Sequence, residues 1–348
     1  MSRSGWSRLY RWGRRWWLRM QQRALIVAYH RIAEPTLDPQ LLCVSPQHFA
    51  EHLEIMTRAY APLSLRALGQ RVEEGRVPSR ALVVTFDDGY ADNLSHATPL
   101  LERYGVPATV FVVSGAVGPP REFWWDTLAR LVLQPSSLPH HLRITVAGQV
   151  HMWDLGSAAT WTEEQCQRYR TWNVTCPETP TPRHAVYRRL HQLLYPLEDR
   201  TQSQVLHDIT QAAQWLDEGH CAPRGLTPEE VRRLSESDVV DIGAHTTTHA
   251  SLAHQTVAEQ RWEIQESRRV LEAMIDRPVR SFAYPFGTRG DLNTTTVALV
   301  REAGFHQACT VLPGVVTSHS DRWQLPRCII RNWDGEEFAR RLRTMFAP

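Results

Sequence analysis

Short apolar runs alternate along the chain with longer stretches in which apolar residues recur at helical spacing. Six apolar runs of four to six residues predict strands: Ala24–Tyr29, Ala81–Phe86, Ala108–Val113, Val239–Ile242, Ser281–Tyr284 and Gln307–Val311. Five longer stretches predict helices: Pro46–Tyr60, Asn93–Tyr104, Pro228–Ser235, Val257–Ile275 and Thr294–Ala303. Strands that alternate with helices in this order predict a parallel sheet, either open or closed into a barrel.

Residues 119–224 break this alternation. They contain Trp-rich and Gln-rich helical segments and a Pro/Thr cluster at Cys176–Pro182, so we interpret them as a largely helical insertion. The domain that carries the insertion extends over residues 24–345. Near the start of the insertion, Trp124 and Trp125 would either stack on sugar faces or pack in a core. The pattern alone leaves both alternatives open.

Residues 1–23 form a basic arm with seven Arg and no acidic residue, although the net charge of the whole chain is only +2. On a helical wheel one face of the arm is basic and another is apolar. The apolar face consists of Leu9, Trp12, Trp16 and Met20. Such an arm would either contact an anionic membrane surface or remain a solvated extension whose Trp residues pack on the domain. Because the charge is confined to one short segment, nucleic acid is not expected as a partner.

Composition excludes several classes of protein. The chain has no Lys, which excludes a Schiff-base lysine and a Walker-type phosphate lysine. Its six Cys are scattered without a CxxC pair, which favours free thiols in a reducing compartment over a zinc ribbon or a dithiol site. The longest apolar run near the start, Ala24–Tyr29, is too short for an export signal or a membrane span. These features predict a cytoplasmic protein.

Two adjacent carboxylates, Asp87 and Asp88, directly follow the predicted strand Ala81–Phe86. The carboxyl end of a parallel strand is where α/β folds place their active sites. One of two neighbouring carboxylates at such a position can hold a metal while the other accepts a proton. Taken alone, Asp-Asp-Gly is also an ordinary capping or turn sequence.

A pair of histidines, His245 and His249, follows the predicted strand Val239–Ile242. On a helical turn a spacing of four places two imidazoles on one face, with Cβ atoms about 5–6 Å apart, so that both can bind one cation. With one Asp as a third ligand, positions would stay open for water and substrate, as in a catalytic metal site. These ligands suit zinc, but also cobalt, iron or nickel. An isolated His pair would more often lie at the surface or in a cap.

A third segment, Phe282–Gly287, ends a predicted strand in a Pro-aromatic-Gly turn that can direct a backbone N–H at an oxyanion. Together the three segments resemble the motifs of the polysaccharide deacetylase family, whose NodB homology domain is a distorted parallel (β/α) barrel. Thr85–Gly89 matches the first motif, His245–His249 the second, and Tyr284–Gly287 part of the third. The resemblance extends over residues 24–331 apart from the insertion.

The resemblance implies a role for each of these residues. Asp87 would be the catalytic base beside a divalent cation, most simply zinc. The ligands of that cation would be Asp88, His245 and His249. The backbone N–H of Phe286 would stabilise the oxyanion, and Tyr284 of the same motif would also face the substrate.

This chain differs from many family members at the residue that orients the catalytic base. Many members have an Arg two positions before the third-motif proline, where this chain has Ala283. Arg280 or Arg327 would then have to orient Asp87. The sequence Leu325-Pro-Arg327 is similar to a late family element that lines the site, which favours a contact of Arg327 with Asp87 or the substrate.

The general acid is the second departure. The Leu-x-His that supplies this acid near the carboxyl terminus of family members has no counterpart after Arg331. His30 is our candidate, because it follows the first predicted strand in a Tyr-His-Arg sequence and so lies at the same end of the sheet as Asp87. The alternative is a structural histidine that caps the strand.

The family resemblance implies a hydrolase of non-peptide carbon–nitrogen bonds that removes N-acetyl groups from an N-acetylhexosamine-containing glycan or a lipid-linked sugar precursor. Exopolysaccharide or cell-envelope biosynthesis is the expected setting, and the basic arm predicts peripheral contact with the inner membrane face. A deformylase or another linear or cyclic amide hydrolase would use the same fold. A carbohydrate-binding protein without turnover is a third alternative, suggested by Ala283 and the missing terminal His.

Overall fold

The computed structural model describes residues 22–119, 121–213 and 223–347, so the predicted membrane-binding arm lies almost entirely outside the described residues. The strands, numbered in chain order, are β1 (Ala24–Tyr29), β2 (Arg31–Ile32), β3 (Cys43–Val44), β4 (Ala61–Pro62), β5 (Ala81–Phe86), β6 (Ala108–Val112), β7 (His141–Val146), β8 (Gln149–Asp154), β9 (Val240–Ala244), β10 (Ser281–Ala283), β11 (Gln307–Cys309) and β12 (Cys328–Ile329).

The α-helices of the described residues are α1 (Pro46–Ala59), α2 (Leu65–Glu73), α3 (Thr98–Tyr104), α4 (Trp124–Leu133), α5 (Glu163–Tyr169), α6 (Pro182–Leu194), α7 (Asp199–Ala212), α8 (Pro228–Ser235), α9 (Val257–Ile275), α10 (Thr294–Glu302) and α11 (Gly335–Phe346). A π-helical turn, Asn93–Ala97, precedes α3, so the predicted helix over residues 93–104 is interrupted in its first half. In the part of the chain that is described, no helix is long and apolar enough to cross a bilayer.

Seven strands form one curved parallel sheet in the order β11-β10-β9-β6-β5-β1-β12, and β4 pairs with the start of β5. The two outer strands approach each other because residues 322–327, which lead into β12, bond to β11. Leu325 N donates to Ala308 O at 2.9 Å and Thr310 N donates to Leu325 O at 2.9 Å. The predicted α/β fold with a distorted parallel (β/α) barrel is confirmed.

Alternation along β1 shows how the barrel buries both of its faces. All six residues of β1 are fully buried. Leu25 and Val27 pack outward in the core beneath the helices, whereas Ala24 and Ile26 face the smaller inner core. Such continuous apolar runs are typical of parallel strands covered on both sides. Helix α2 contributes Leu65 to the inner core and so covers the amino-terminal ends of the strands.

The insertion has a hydrophobic core separate from that of the barrel. Trp124 and Trp125 are only 8% and 5% exposed in that core, so packing is the observed alternative. The insertion also contains an antiparallel hairpin, β7 with β8, that its helical patterns did not predict. Because the insertion packs its own core, it can form one wall of a site without disturbing the barrel beneath it.

Candidate active site

The turn after β5 separates the two carboxylates of the Asp pair. Asp87 extends the strand ladder, since its N–H donates to Tyr29 O at 2.9 Å. Asp88 then has φ 71° and Gly89 has φ 77°, so the chain turns sharply in the left-handed region. A Cβ on Gly89 would lie 3.1 Å from Val112 Cγ1, which explains why glycine fits there. The turn directs the two neighbouring side chains to different partners.

His245 and His249 lie in a loop after β9, and the prediction that their spacing reflects a helical turn is wrong. The loop bends because Thr246 and His249 both have φ 62°. Thr246 Oγ1 accepts a hydrogen bond of 3.0 Å from His249 N, which closes the bend. Two left-handed residues thus bring the imidazoles together, with ring centroids 5.0 Å apart.

Glu263, on α9, holds this loop in place. Its carboxylate accepts bonds from Thr247 N at 2.7 Å, from Thr248 N at 2.9 Å and from Thr248 Oγ1 at 2.5 Å. Burial raises the pKa of Glu263, and these bonds partly offset that effect. Sequence reasoning missed Glu263, because a glutamate within an amphipathic helix carries no signal of a loop docked against it.

Asp88, His245 and His249 converge on one point. Asp88 Oδ1 lies 3.3 Å from His249 Nε2 and 3.6 Å from His245 Nε2, and all three side chains are buried. The ligand atoms of the three residues lie within 4.8 Å of one another. In a tetrahedral zinc site, ligand atoms at about 2.0–2.1 Å from the metal are separated by about 3.3 Å.

An unpaired polar atom supports a cation site at this point. Asp88 Oδ1, the carboxylate oxygen nearest both imidazoles, is buried without a hydrogen-bond partner among the described residues. Such an atom is costly unless a partner is supplied. His245 Nδ1 donates to Ala283 O at 2.8 Å, which leaves the lone pair of Nε2 directed at Asp88. The side chains therefore fit a divalent cation.

The electrostatics of this group also suit metal binding. Burial lowers the pKa of His245 to about 4, so its imidazole is neutral near neutral pH, as a ligand must be. Burial alone would raise the pKa of Asp88, but His249 and the other nearby imidazoles outweigh this effect and lower it. An ionised Asp88 carboxylate therefore lies beside a neutral His245 imidazole.

Asp87 is paired with Arg327. Arg327 Nη1 and Nη2 each donate a bond of 2.7 Å to one carboxylate oxygen of Asp87, and the guanidinium is fully buried. Arg327 Nε also donates to Thr310 O at 3.0 Å. Burial would raise the pKa of Asp87, but the Arg327 charge outweighs it and holds the pKa well below its usual range. Arg327, not Arg280, therefore takes the place next to Asp87 that Ala283 leaves open.

A pocket of about 280 Å³ opens above these residues. Of the other predicted site residues, His30 and Phe286 line it. The ring of Phe286 packs edge-on against His249, with centroids 4.7 Å apart. Tyr284 does not reach the pocket, because its side chain is buried in the barrel core and its hydroxyl donates to Trp323 O at 2.9 Å.

The insertion also supplies walls of the pocket. Trp125, His191 and Tyr195 line it, and of these three residues the sequence analysis singled out Trp125 alone. Tyr195 packs on Phe286 with ring centroids 4.2 Å apart, and its hydroxyl donates to Asp291. That contact ties the end of α6 to the loop that carries Phe286. The aromatic residues near Trp125 were the signal in the sequence that could have pointed to this wall of the pocket.

Comparison with known proteins identifies the family. Residues 74–224 and 209–308 match the polysaccharide deacetylase family model, and together these ranges cover more than half of the chain. The chain belongs to the polysaccharide deacetylase family. The matched ranges include the Asp pair and both histidines of the site, whereas His30 and Arg327 lie outside them.

Individual relatives of this polysaccharide deacetylase family member are distant. It is 26% identical over 129 residues to the Bacillus subtilis (strain 168) protein named "Putative polysaccharide deacetylase YxkH", a match that covers 36% of this chain and 45% of that protein. The chain thus spans about half the length of this curated relative.

Two solved structures share the fold over nearly the whole chain. The Streptococcus pyogenes deacetylase PplD, in complex with acetate, is 18% identical, with a TM-score of 0.53 and coverage of 94% of this chain and 99% of PplD. IcaB from Ammonifex degensii is 15% identical, with a TM-score of 0.56 and coverage of 93% and 97%. At these low sequence identities, the structural similarity shows only that the chains share a fold.

Proposed function

We propose that this chain is a divalent-metal-dependent N-deacetylase that acts on an N-acetylhexosamine unit of a glycan or a lipid-linked sugar precursor, in exopolysaccharide or cell-envelope biosynthesis. The observation that carries the proposal is the convergence of Asp88, His245 and His249 beside an ionised Asp87 in one pocket. Family membership supports the proposal. The acetate in the PplD complex is the acid that N-deacetylation releases.

Asp88, His245 and His249 would hold the cation, and zinc is our first choice, with cobalt, iron and nickel as alternatives. A bound cation would polarise the acetamide carbonyl and lower the pKa of a water molecule. Asp88 Oδ1 is the unpaired atom that would face the cation, and the Ala283 carbonyl fixes the orientation of His245.

Asp87 would accept the proton of the attacking water. A carboxylate can do so only while it is ionised, and Arg327 keeps Asp87 ionised despite its burial. The two parallel hydrogen bonds from Arg327 also fix the carboxylate plane. This pairing argues against a binding protein that has lost turnover, because the base retains a partner although Ala283 replaces the family arginine.

His30 and Phe286 would complete the reaction. Burial lowers the pKa of His30, although the charges of Asp88 and Asp87 oppose this effect. The lowered pKa makes the protonated form of His30 a readier proton donor to the departing amine. The N–H of Phe286 makes no hydrogen bond to the described residues, so it can donate to an oxyanion in the pocket.

Acetate release from a panel of N-acetylhexosamine substrates tests the proposal. Protein stripped of metal should be inactive, zinc or cobalt should restore release, and Asp87→Asn should abolish it while metal binding persists. If only N-formyl or cyclic amide substrates turn over, the protein is an amide hydrolase of another kind. Sugar binding without metal-dependent release of any product would show a binding protein.

We also propose that residues 1–23 bring the enzyme to the inner membrane face, where lipid-linked precursors are assembled. The basic, Trp-containing pattern of this arm supports the proposal. The full-length protein should sediment with anionic vesicles, and deletion of residues 1–23 should release it. An unchanged distribution after the deletion would contradict the proposal.

A further inference from the structure

Arg331 lines the pocket of the proposed active site but has no carboxylate partner among the described residues. Its Nη1 donates to Gln40 O at 3.2 Å and to Leu41 O at 2.5 Å. In the same part of the chain, Nε and Nη2 have no hydrogen-bond partner, and neither atom is fully buried. These two nitrogens form one edge of the guanidinium plane, so the anchored side chain presents an open pair of donors.

The loop before β3 holds this guanidinium in place. Leu41 has φ 57°, a left-handed conformation that leucine seldom adopts. Asp38 stabilises the loop, because its carboxylate accepts bonds from Leu42 N at 2.8 Å and Cys43 N at 2.9 Å. The bend directs two successive backbone carbonyls at Arg331 Nη1. Strained residues of this kind cluster at sites that hold ligands, and a donor that is fixed in advance loses little conformational entropy on binding.

The charge of Arg331 is uncompensated within the pocket wall. Asp87 is neutralised by the two bonds from Arg327, and Asp88 belongs to the proposed set of metal ligands. The described residues that line the pocket include no other arginine, and the chain has no lysine. Burial lowers the pKa of His30, and the Arg331 charge adds to that effect, so the guanidinium lies near the proposed acid. A partly buried charge of this kind is costly until an opposite charge is supplied.

We propose that the open edge of Arg331 binds an oxyanion carried by the reacting N-acetylhexosamine itself, a phosphate or a carboxylate, while the acetamide group of that sugar faces the metal ligands. The planar edge of a guanidinium matches two oxygens of such a group. Arg331 and the metal ligands line one pocket of about 280 Å³, so a single substituted sugar can contact both. The inference rests on the proposed function and makes it more specific, because it selects a charged sugar over an uncharged N-acetylhexosamine.

Two substitutions of Arg331 test the site. Arg331→Gln removes the charge and the planar donor edge but keeps a polar side chain. Arg331→Lys keeps the charge and loses the edge, and it keeps the test valid if the Gln variant does not fold. Arg188→Gln is the matched control, because Arg188 also donates to backbone carbonyls, those of Cys176 and Pro177 at 2.6 and 3.1 Å, and does not line the pocket.

The measured quantity is the ratio of kcat/KM for a charged sugar to kcat/KM for N-acetylglucosamine. The charged sugars are N-acetylglucosamine 1-phosphate and 6-phosphate and, as the carboxylate arm, an N-acetylated hexosaminuronic acid. In the wild type and the control we expect a ratio of about ten or more for one class, equivalent to about 1.4 kcal/mol, and the class that gains identifies the oxyanion. The ratio should fall close to one in Arg331→Gln and be intermediate in Arg331→Lys. Equal kcat/KM for charged and uncharged sugars, or a gain that survives Arg331→Gln, would overturn the inference.

Calorimetry with the same sugars on Zn²⁺-loaded Asp87→Asn protein separates this inference from the proposed function. If no protein releases acetate, but a charged sugar binds about tenfold tighter than N-acetylglucosamine and Arg331→Gln removes the gain, the anion site stands and the deacetylase proposal fails. If acetate is released but the charge brings no gain, the anion site is refuted and the deacetylase proposal stands. A gain that requires Zn²⁺ but not Arg331 would assign the oxyanion to the cation and also refute the site.

Discussion

Replacement of Arg327 by Ala removes the counter-charge of the proposed base. Arg327 is fully buried and donates two bonds of 2.7 Å to Asp87. It also bonds to Thr310 O at 3.0 Å and to Thr85 Oγ1 at 3.2 Å. Loss of one partner from a buried ion pair costs about 3–5 kcal/mol, because the other charge stays buried without compensation. We therefore expect Arg327→Ala to lower the free energy of unfolding at neutral pH by about this amount.

The same substitution should reverse the pH dependence contributed by Asp87. In the wild type its folded pKa lies below the unfolded value of about 3.9, so its stabilising contribution is present above that pH and is lost as the pH falls through the folded pKa. Without Arg327 the effect of burial dominates and raises the pKa. Stability should then be regained at low pH and lost as the pH rises through the new value. The acidic limb of kcat/KM should move to higher pH, because the base is protonated more readily.

Urea unfolding across a pH series and pH profiles of kcat/KM measure both effects. Arg322→Ala is the control: Arg322 pairs with Glu73 at 2.7 Å, but the side chains are 28% and 64% exposed. Such surface pairs contribute about 0–1 kcal/mol. Arg327→Lys, which keeps the charge and loses the bidentate geometry, should be intermediate. If Arg327→Ala matches Arg322→Ala in stability and keeps the wild-type pH profile, our account of the base is refuted.

Four further changes test other parts of the structure. Asp88→Asn should weaken Zn²⁺ binding, measured by calorimetry without substrate, by at least about tenfold, and unchanged affinity would remove Asp88 from the ligand set. Glu263→Ala should weaken it by about 10–100-fold through the histidine loop, with partial recovery in Glu263→Gln; an unaffected affinity would show that the loop needs no such support. His30→Ala should lower kcat, whereas full turnover at an unchanged pH optimum would exclude its role as the acid. Hydrogen bonds from Arg224 lower the pKa of Glu230 to about 2, so its stabilising contribution is present above the unfolded value of about 4.3 and is lost toward pH 2. The difference in Tm between wild type and Glu230→Gln should shrink over this range, and a constant difference would contradict the pairing.

Where the local sequence fixes the ends of a strand or helix, its first and last residues could be predicted correctly. Strands β1 and β5 are uninterrupted apolar runs, and both have the predicted ends. Helices α8 and α9 also begin and end at the predicted residues, and their starts are fixed by Thr227 and Thr256, each of which closes a capping box with a Glu three residues later. The hairpin of β7 and β8 was missed although its buried side alternates strictly through Leu142, Ile144 and Val146.

Contacts between distant segments could not be predicted in the same way. Arg327 and Asp87 are 240 positions apart, and only the curvature of the sheet brings them into contact. The bend of the histidine loop depends on positive φ at Thr246 and His249, residue types that seldom adopt it and give no local signal. The family resemblance pointed to these positions, and the packing around Glu263 supplies the reason that they converge.

Arg327 lies directly before β12, late in the chain, and this position has a consequence for the order in which the protein folds. Strand β1 pairs with β12 through Val27 and Cys328, so the two strands are synthesised about 300 residues apart. Until the segment before β12 docks, Asp87 lies at a strand end without its counter-charge. A nascent or partly unfolded chain can therefore form much of the barrel while the proposed base still lacks the guanidinium that orients it. Catalytic competence would then appear only at the last step of folding, which makes activity a sensitive reporter of whether the barrel has closed.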